Sequence, residues 1–245
     1  MGKLHVVMTK EEIRSNELEG NIAVVLDVLI ATSMITVALQ YGAKAVIPVR
    51  SKEEALVRKQ QDKRDCIVVG EHQGRSIENF LLPYPSELKG ILQNKTMILA
   101  TTNGTVAISS ASVAKEVYVA SLFNGHAVAK TVQAEHEDET IVIICSGSGG
   151  NVSLEDFYGA GFVIHHLMQQ GQWDLTDSAR IAYLFYKGNK DCAEQLLLSS
   201  RVGRSLRKAG YEKEILYVAK QGLYPLVAKL YKDEIRMEES ICHKL

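Results

Sequence analysis

The alternation of strand-like and helix-like segments over the first two-thirds of the chain constrains the fold more than any other feature. Short runs of Val, Ile and Leu, typical of strands covered on both faces, are separated by segments of helical periodicity. We predict strands at residues 4–8, 22–26, 45–49, 66–69, 96–100, 116–119 and 140–144, with helices at 32–41, 52–60, 104–114 and 125–135 between them. This alternation predicts an α/β protein with a mostly parallel sheet flanked by helices.

The C-terminal part of the chain has a different pattern. From Ser153 onward the periodicity is helical throughout, and glycines separate the segments. We predict helices at 154–170, 176–186, 190–199, 202–208, 212–219 and 227–236. Internal repeats and low-complexity linkers are absent from the sequence, so we expect one domain over residues 1–245, mainly helical after about residue 175.

Charge and cysteine content restrict the classes of partner. The 245-residue chain has a formal net charge of −1, which gives no electrostatic basis for capturing nucleic acid or an anionic membrane. It contains no apolar run of about 18 residues, so we expect no membrane span. The four cysteines lack the spacing of zinc or redox motifs; they are Cys66, Cys145, Cys192 and Cys242. We therefore expect a reduced, cytoplasmic protein with a small-molecule partner.

A glycine-rich turn follows the strand at 140–144. Cys145 opens the sequence CSGSGG, in which Gly147 allows the backbone to come close to a ligand. Ser153 is then a good N-cap, and Glu155 and Asp156 place acids in the first helical turn. Neighbours on a helix point about 100° apart, so we expect at least one of the two acids to face the site. The turn and the acidic helix start predict a place that holds an anion or a metal.

Asp27 stands at the end of the strand at 22–26. Ligands of open α/β sheets bind outside the carboxyl ends of the strands, so an acid there is a candidate metal ligand or general base. Thr32 or Ser33 can cap the helix that follows. A purely structural, helix-capping Asp27 explains the pattern equally well.

Two more polar segments follow strands. Thr101, Thr102, Asn103 and Gly104 come directly after the strand at 96–100, where hydroxyls and backbone N–H groups can cradle phosphate oxygens. A plain Asn-Gly turn has a similar sequence.

The segment after the strand at 66–69 adds charge to the same rim. Glu71 supplies a carboxylate there, and His72 and Arg75 can supply positive charge for an anionic substrate. A polar surface loop is the competing interpretation.

Cys145 has two interpretations. A cysteine at a strand end before a helix can be a nucleophile, and a buried core cysteine is the structural alternative. No histidine is placed by the sequence to activate it, and Asn151 occupies the arginine position of the Cys-x5-Arg phosphate loop. We therefore favour the structural role. Carboxylates with few neighbouring histidines favour Mg²⁺ over zinc.

In this order the segments resemble the 2-phosphosulfolactate phosphatase family, the ComB-like proteins. The resemblance covers most of the chain and is carried by DVLIATS from Asp27, IPV from Ile47, Gly70-Glu71, TTNGT from Thr101, SLFN from Ser121, CSG from Cys145, SLED from Ser153 and Ala160-Gly161. It implies an α/β fold and a Mg²⁺-dependent phosphatase that converts 2-phospho-3-sulfolactate to 3-sulfolactate. It also implies a homodimer.

The motifs and the resemblance together give candidate site residues. We expect catalytic roles for Asp27, Glu71 and Asp156, and metal binding by Asp27, Glu155 and Asp156. The candidate substrate-binding residues are Thr32, Ser33, His72, Arg75, Thr101, Thr102, Asn103, Gly104, Asn124, Cys145 and Gly147.

The sequence departs from the family pattern at three places. Ile30 and His72 stand where the family usually has arginines, and Pro83-Tyr84-Pro85 replaces an Asn-Ser-Pro segment. Losing two arginines would weaken binding of a doubly anionic substrate by several kcal/mol, at ~1.5–3 kcal/mol per charged hydrogen bond. A non-catalytic or substrate-shifted anion-binding relative is therefore the alternative to the phosphatase.

Overall fold

The computed structural model describes residues 1–238, and its central feature is a sheet of 11 strands. The strands are β1 Lys3–Val7, β2 Ile22–Leu26, β3 Ala45–Val49, β4 Cys66–His72, β5 Arg75–Ser76, β6 Thr96–Ala100, β7 Glu116–Ala120, β8 Thr140–Cys145, β9 Asp174–Leu175, β10 Ala228–Tyr231 and β11 Glu234–Met237. Their order in the sheet is β5-β4-β6-β3-β11-β10-β7-β2-β8-β1-β9. All seven predicted strands are present, which confirms the α/β class.

Helices connect most of these strands. They are α1 Ser15–Leu18, α2 Ala31–Gln40, α3 Lys52–Gln61, α4 Pro85–Leu88, α5 Gly104–Ala111, α6 Gly125–His136, α7 Leu154–Gln170, α8 Asp177–Gly188, α9 Ala193–Ser199, α10 Arg201–Lys208 and α11 Glu212–Val218, with a 3₁₀ turn at Lys10–Glu12. Most predicted helices are present, and most of their ends fall within two residues of the prediction. No helix within residues 1–238 is long and apolar enough to cross a membrane.

The sheet consists of two parallel blocks joined by an antiparallel hairpin. β4, β6 and β3 form one block, and β7, β2, β8, β1 and β9 form the other. The hairpin β10–β11 lies between them, with β11 antiparallel to β3 and β10 antiparallel to β7. Every residue of β2 and β6 is buried, as expected for strands covered on both faces.

The helix predicted at 227–236 is wrong, because this segment forms the β10–β11 hairpin. Ala228 and Ile235 are fully buried against the neighbouring strands, and Lys232 adopts a positive φ of 60° in the turn. The hairpin pairs with edge strands of both parallel blocks, whose backbone groups would otherwise lack partners. Tertiary pairing has therefore overridden a local helical pattern.

Helix α2 packs against strands of both parallel blocks and against the hairpin between them. Its residues from Ala31 to Leu39 are all buried, which is the pattern of a helix enclosed on every side. Met34 and Ile35 share one hydrophobic core with Val46 of β3 and with Val25 of β2. A second core, on the opposite face of β2 and its neighbours, joins the sheet to α6, α7, α8 and the C-terminal helices. These two cores fix the loops that follow β2, β6 and β8.

Candidate active site

A cavity of about 480 Å³ lies where the loops after β2, β6 and β8 meet helix α10. Its polar wall contains Lys10, Asp27, Glu71, Gln73, Thr101, Thr102, Asn103, Ser148, Arg201 and Ser205. Its apolar wall contains Leu29, Ile30, Pro83, Tyr84, Val202 and Leu206, with Gly74 and Gly149 completing the lining. The cavity therefore combines carboxylates, hydroxyls and cations with an apolar side.

Asp27 forms the acidic floor of the cavity. The side chain is buried, and its carboxylate accepts hydrogen bonds from the backbone N–H groups of Ala31 and Gly104. Burial, followed by the charges of Glu71 and Glu155, raises the pKa of Asp27 to about 7. A carboxylate with such a pKa can hold or release a proton near neutral pH, and it attracts a cation strongly.

Glu71, at the end of β4, is fixed by three hydrogen bonds. Its Oε1 accepts from the N–H of Thr102 at 2.7 Å, and its Oε2 accepts from the Thr102 hydroxyl at 3.1 Å and from the N–H of Gly74 at 2.6 Å. The Thr102 hydroxyl oxygen in turn accepts from the N–H of Gln73 at 2.7 Å. These bonds hold the loops after β4 and β6 together, so the carboxylate is preorganised beside the cavity.

Asp156 lies behind the cavity wall rather than in it. Its Oδ1 accepts from the N–H of Val28 at 2.8 Å, and its Oδ2 accepts from the N–H of Gly147 at 3.1 Å. Burial, with the neighbouring charges of Asp27 and Glu155, raises the pKa of Asp156 well above its usual range. Asp156 thus connects the loops after β2 and β8 directly behind Asp27.

Glu155 faces a different direction from its neighbour. It is buried, hydrogen-bonds Ser200 and lies near the Arg201 guanidinium, and burial raises its pKa. It borders a smaller pocket of about 220 Å³ between the starts of α7 and α10. The three predicted metal ligands therefore do not face one cavity. Of Asp27, Glu155 and Asp156, only Asp27 lines the main cavity.

Away from the cavity, the described residues 1–238 contain a group of three side chains that could bind a metal. The ligand atoms of Glu116, Glu135 and His136 lie within 4.8 Å of one another. Lys229 Nζ lies 2.7 Å from Glu116 Oε2, and the Tyr118 hydroxyl donates to the same oxygen at 2.9 Å. A lysine ammonium therefore already balances the charge of Glu116.

The segment after β6, for which we predict a phosphate cradle, lines the cavity. Thr101 and Asn103 are on the wall, and Asn103 Oδ1 accepts from Lys10 Nζ at 2.9 Å. Gly104 is packed so closely that a Cβ there would lie 2.5 Å from Asp27 Oδ2. Only glycine permits this approach of the loop to the carboxylate.

Three candidate substrate-binding side chains point into the protein instead. Thr32 exchanges hydrogen bonds with the backbone N–H and C=O of Asp27, and Ser33 donates to the Val28 carbonyl. Asn124 is fully buried, where its Oδ1 accepts from the N–H of Ser121. The predicted capping by Thr32 or Ser33 is wrong, because the N-cap residue of α2 is Ile30. These side chains shape the loops that carry the site.

His72 and Arg75 lie outside the main cavity. His72 lines a second cavity of about 410 Å³, which also contains Arg50 and Lys52 and shares Glu71 with the main cavity. Arg75 is exposed and pairs with His72 in the short β4–β5 hairpin. The structure therefore places both side chains outside the cavity that contains Asp27.

Cys145 and Gly147 have structural surroundings. Cys145 is fully buried at the end of β8, and burial raises the pKa of its thiol well above the usual range. Gly147 has a positive φ of 63° and donates its N–H to Asp156. Ser153 is the N-cap residue of α7, as predicted, without a side-chain capping bond. These positions support the structural interpretation of Cys145. Cys242 lies outside the described residues.

Lys10 and Arg201 line the cavity but were not identified from the sequence. Lys10 lies in a 3₁₀ turn after β1, and Arg201 is the first residue of α10. Neither residue belongs to a recognisable motif. The only local signal is Ser200, which caps α10 by accepting from the N–H of Gly203 at 2.9 Å and so fixes where Arg201 begins the helix.

The strand ends of this α/β sheet bring carboxylates, a Thr-Thr-Asn-Gly turn and two cations to one cavity. Such a site defines a class of protein that binds small anions beside buried acids. Residues 7–233 match the 2-phosphosulpholactate phosphatase family, and the chain belongs to this family of phosphoric monoester hydrolases. The resemblance found in the sequence is thereby confirmed.

Curated relatives cover nearly the whole chain. A protein of Clostridium perfringens named probable 2-phosphosulfolactate phosphatase is 37% identical over 243 residues, which is 97% of each chain. Proteins with the same name from Clostridium acetobutylicum and Clostridium tetani are 34% and 30% identical, and the matches cover 95% of this chain and 99% and 98% of theirs.

Proposed function

We propose that this protein hydrolyses 2-phospho-3-sulfolactate to 3-sulfolactate and phosphate. The observation that carries the proposal is the convergence of Asp27, Glu71 and the Thr101–Asn103 turn on one cavity in a chain of this family. The two carboxylates supply acid–base and cation-binding groups, and the turn supplies donors for phosphate oxygens.

We further propose that the enzyme uses Mg²⁺. The donor set fits this ion, because Asp27 presents hard carboxylate oxygens to the cavity and the carboxyl groups of Glu71, Glu155 and Asp156 lie close to it. Asp27 would hold the ion directly, and a bound cation would favour the ionised forms of Glu155 and Asp156 behind it. When bound, Mg²⁺ would neutralise charge on the phosphate in the transition state.

The protein groups have separate tasks in this proposal. Thr101, Asn103 and the Lys10 ammonium face the cavity from one side and would hold the phosphate oxygens. Glu71 has a lone pair beyond those used by Thr102 and Gly74, and would orient the attacking water. Tyr84 and Leu206 also line the cavity, and their apolar surface would exclude bulk water and so strengthen the electrostatic interactions.

A substrate-shifted phosphatase is the second candidate. Ile30 lines the cavity where the family usually has arginine, and Leu29, Tyr84 and Leu206 extend the apolar surface beside it. An apolar wall favours a phosphate ester with an apolar group over a more highly charged one.

The test is phosphate release from 2-phospho-3-sulfolactate with Mg²⁺, with EDTA and with phospholactate as an alternative substrate. Asp27→Asn and Glu71→Gln should each reduce kcat by at least ~100-fold, whereas Asp65→Asn, on the exposed ion pair with Lys95, should have no effect. Turnover of phospholactate alone would indicate the shifted substrate. Undiminished turnover by Asp27→Asn would refute the assignment of the site.

The assembly and location are also proposals. We infer a cytoplasmic homodimer, as the family resemblance implies. Sedimentation velocity at micromolar concentration should give about twice the 27.1 kDa mass of one chain. A monomer under these conditions would contradict the dimer without affecting the catalytic proposal.

A further inference from the structure

Two basic side chains, Lys10 and Arg201, line the main cavity among residues 1–238, and they come from different elements, the 3₁₀ turn after β1 and the start of α10. Lys10 lies beside Asn103, at the turn proposed for the phosphate. Arg201 lies at the glycine turn after β8, beside Ser148 and Gly149. A phosphate ester that also carries a second acidic group has two anionic centres, one for each of these cations.

Arg201 is held in place by the glycine turn. Its guanidinium donates to the carbonyl of Ser148 and lies beside Gly149, where a Cβ would be in ordinary van der Waals contact with Nη1 at 3.8 Å. Gly149 has a positive φ of 60°, which glycine adopts without strain. A guanidinium has five N–H donors in a planar fork, so donors remain for a ligand after the bond to Ser148.

Neither Ile30 nor His72 supplies positive charge to the main cavity. Ile30 is uncharged, and His72 faces the second cavity rather than the one that contains Asp27. Arg201 comes from the C-terminal helices, and Glu155 lies near its guanidinium and balances part of its charge when no ligand is bound.

We infer that Arg201 is a specificity-determining residue that binds the second acidic group of the substrate, a carboxylate or sulfonate, while the phosphate lies at Lys10 and Asn103. The inference rests on the proposed phosphatase function. A planar guanidinium binds such an oxyanion through two parallel hydrogen bonds, which selects esters with an acid at the right separation from the phosphate.

The test combines enzyme variants with substrates that differ in the second acid. Arg201→Met should lower kcat/KM for 2-phospho-3-sulfolactate by about 10- to 150-fold, the loss expected for a hydrogen bond between charged groups, and mainly through KM. For p-nitrophenyl phosphate, which has no second acid, the same variant should stay within about threefold of wild type. Arg201→Lys should restore part of the loss, because it keeps the charge without the fork.

Arg207→Met is the matched control, since Arg207 lies on the same helix and pairs at the surface with Glu212. It should leave both substrates unchanged. Equal losses for the two substrates in Arg201→Met, or equal effects of Arg201→Met and Arg207→Met, would overturn the inference.

A binding measurement separates this inference from the proposed function. Calorimetric titration with 3-sulfolactate and with inorganic phosphate requires no turnover. Arg201→Met should weaken 3-sulfolactate binding by at least ~10-fold and leave phosphate binding within about threefold. If wild type hydrolyses none of the esters but shows this binding pattern, the phosphatase proposal fails and the role of Arg201 stands. If wild-type protein does not bind 3-sulfolactate, the role of Arg201 is refuted.

Discussion

Gly104→Ala should damage catalysis far more than stability. A Cβ at this position would lie 2.5 Å from the Cβ of Ala31, 2.5 Å from Asp27 Oδ2 and 2.8 Å from Asp27 Cβ. Carbon atoms in contact are normally about 3.5–4.0 Å apart, so either the loop or Asp27 must move by roughly 1 Å. The backbone N–H of Gly104 also donates to Asp27, so a shift of the loop changes the position of the carboxylate.

The expected magnitudes follow from these contacts. Overpacking of this kind costs about 1–3 kcal/mol, and replacing glycine by alanine at a helix start returns up to ~1 kcal/mol. The free energy of unfolding should therefore fall by ~0–3 kcal/mol, measured by urea denaturation. A displacement of about 1 Å at a reacting group costs ~100-fold in rate, so kcat for phosphate release should fall by about that factor.

Two further variants test the steric explanation. Gly188→Ala, at the end of α8, places a Cβ with no heavy atom within 4 Å and should stabilise the protein by ~0.4–1 kcal/mol without changing kcat. Ala31→Gly combined with Gly104→Ala removes one of the contacts and should recover part of the lost activity. Wild-type kcat and an unchanged unfolding midpoint in Gly104→Ala would refute the steric argument.

Three other perturbations have distinct outcomes. Burial and neighbouring carboxylates raise the pKa of Asp27 to about 7, so its ionised form destabilises the folded state at high pH. In EDTA, Asp27→Asn should therefore increase the free energy of unfolding by ~1–3 kcal/mol at pH 8 and by almost nothing near pH 4. A difference that does not depend on pH would contradict this. Cys145→Ala should keep activity within about twofold and lose ~1 kcal/mol of stability, whereas inactivation would revive the nucleophile hypothesis. Arg64 and Arg236 lower the pKa of the buried Glu234. Glu234→Gln should therefore lower the free energy of unfolding in urea by ~1–3 kcal/mol at pH 7, and this loss should shrink as the pH falls below about 4. An equal loss at pH 3 would exclude the ion pairs as its cause.

The sequence identified the site through its strand ends. Runs such as Ile22–Leu26 and Thr96–Ala100 are too apolar to be exposed, so their positions follow from burial alone. The polar residues that come directly after them, Asp27 and Thr101–Asn103, are then confined to the loops at the ends of buried strands. The positions of the strand ends therefore predicted two parts of the cavity lining, Asp27 and Thr101–Asn103.

Tertiary structure decided which side chains face the cavity. Asp156 bonds to Val28 across 128 residues of sequence, and this contact turns Asp156 behind the wall while Asp27 stays in it. The β10–β11 hairpin forms because edge strands of two separate blocks are available for pairing. The local sequence pattern of the hairpin contains no information about these distant strands.

By itself the sequence determined the α/β class, the family and the residues that carry negative charge at the strand ends. Only the folded chain brought Arg201 from a C-terminal helix to the glycine turn, and only it separated His72 from Asp27. The physical reason is that burial and turn formation depend on neighbouring residues, whereas the approach of two loops depends on packing between distant elements.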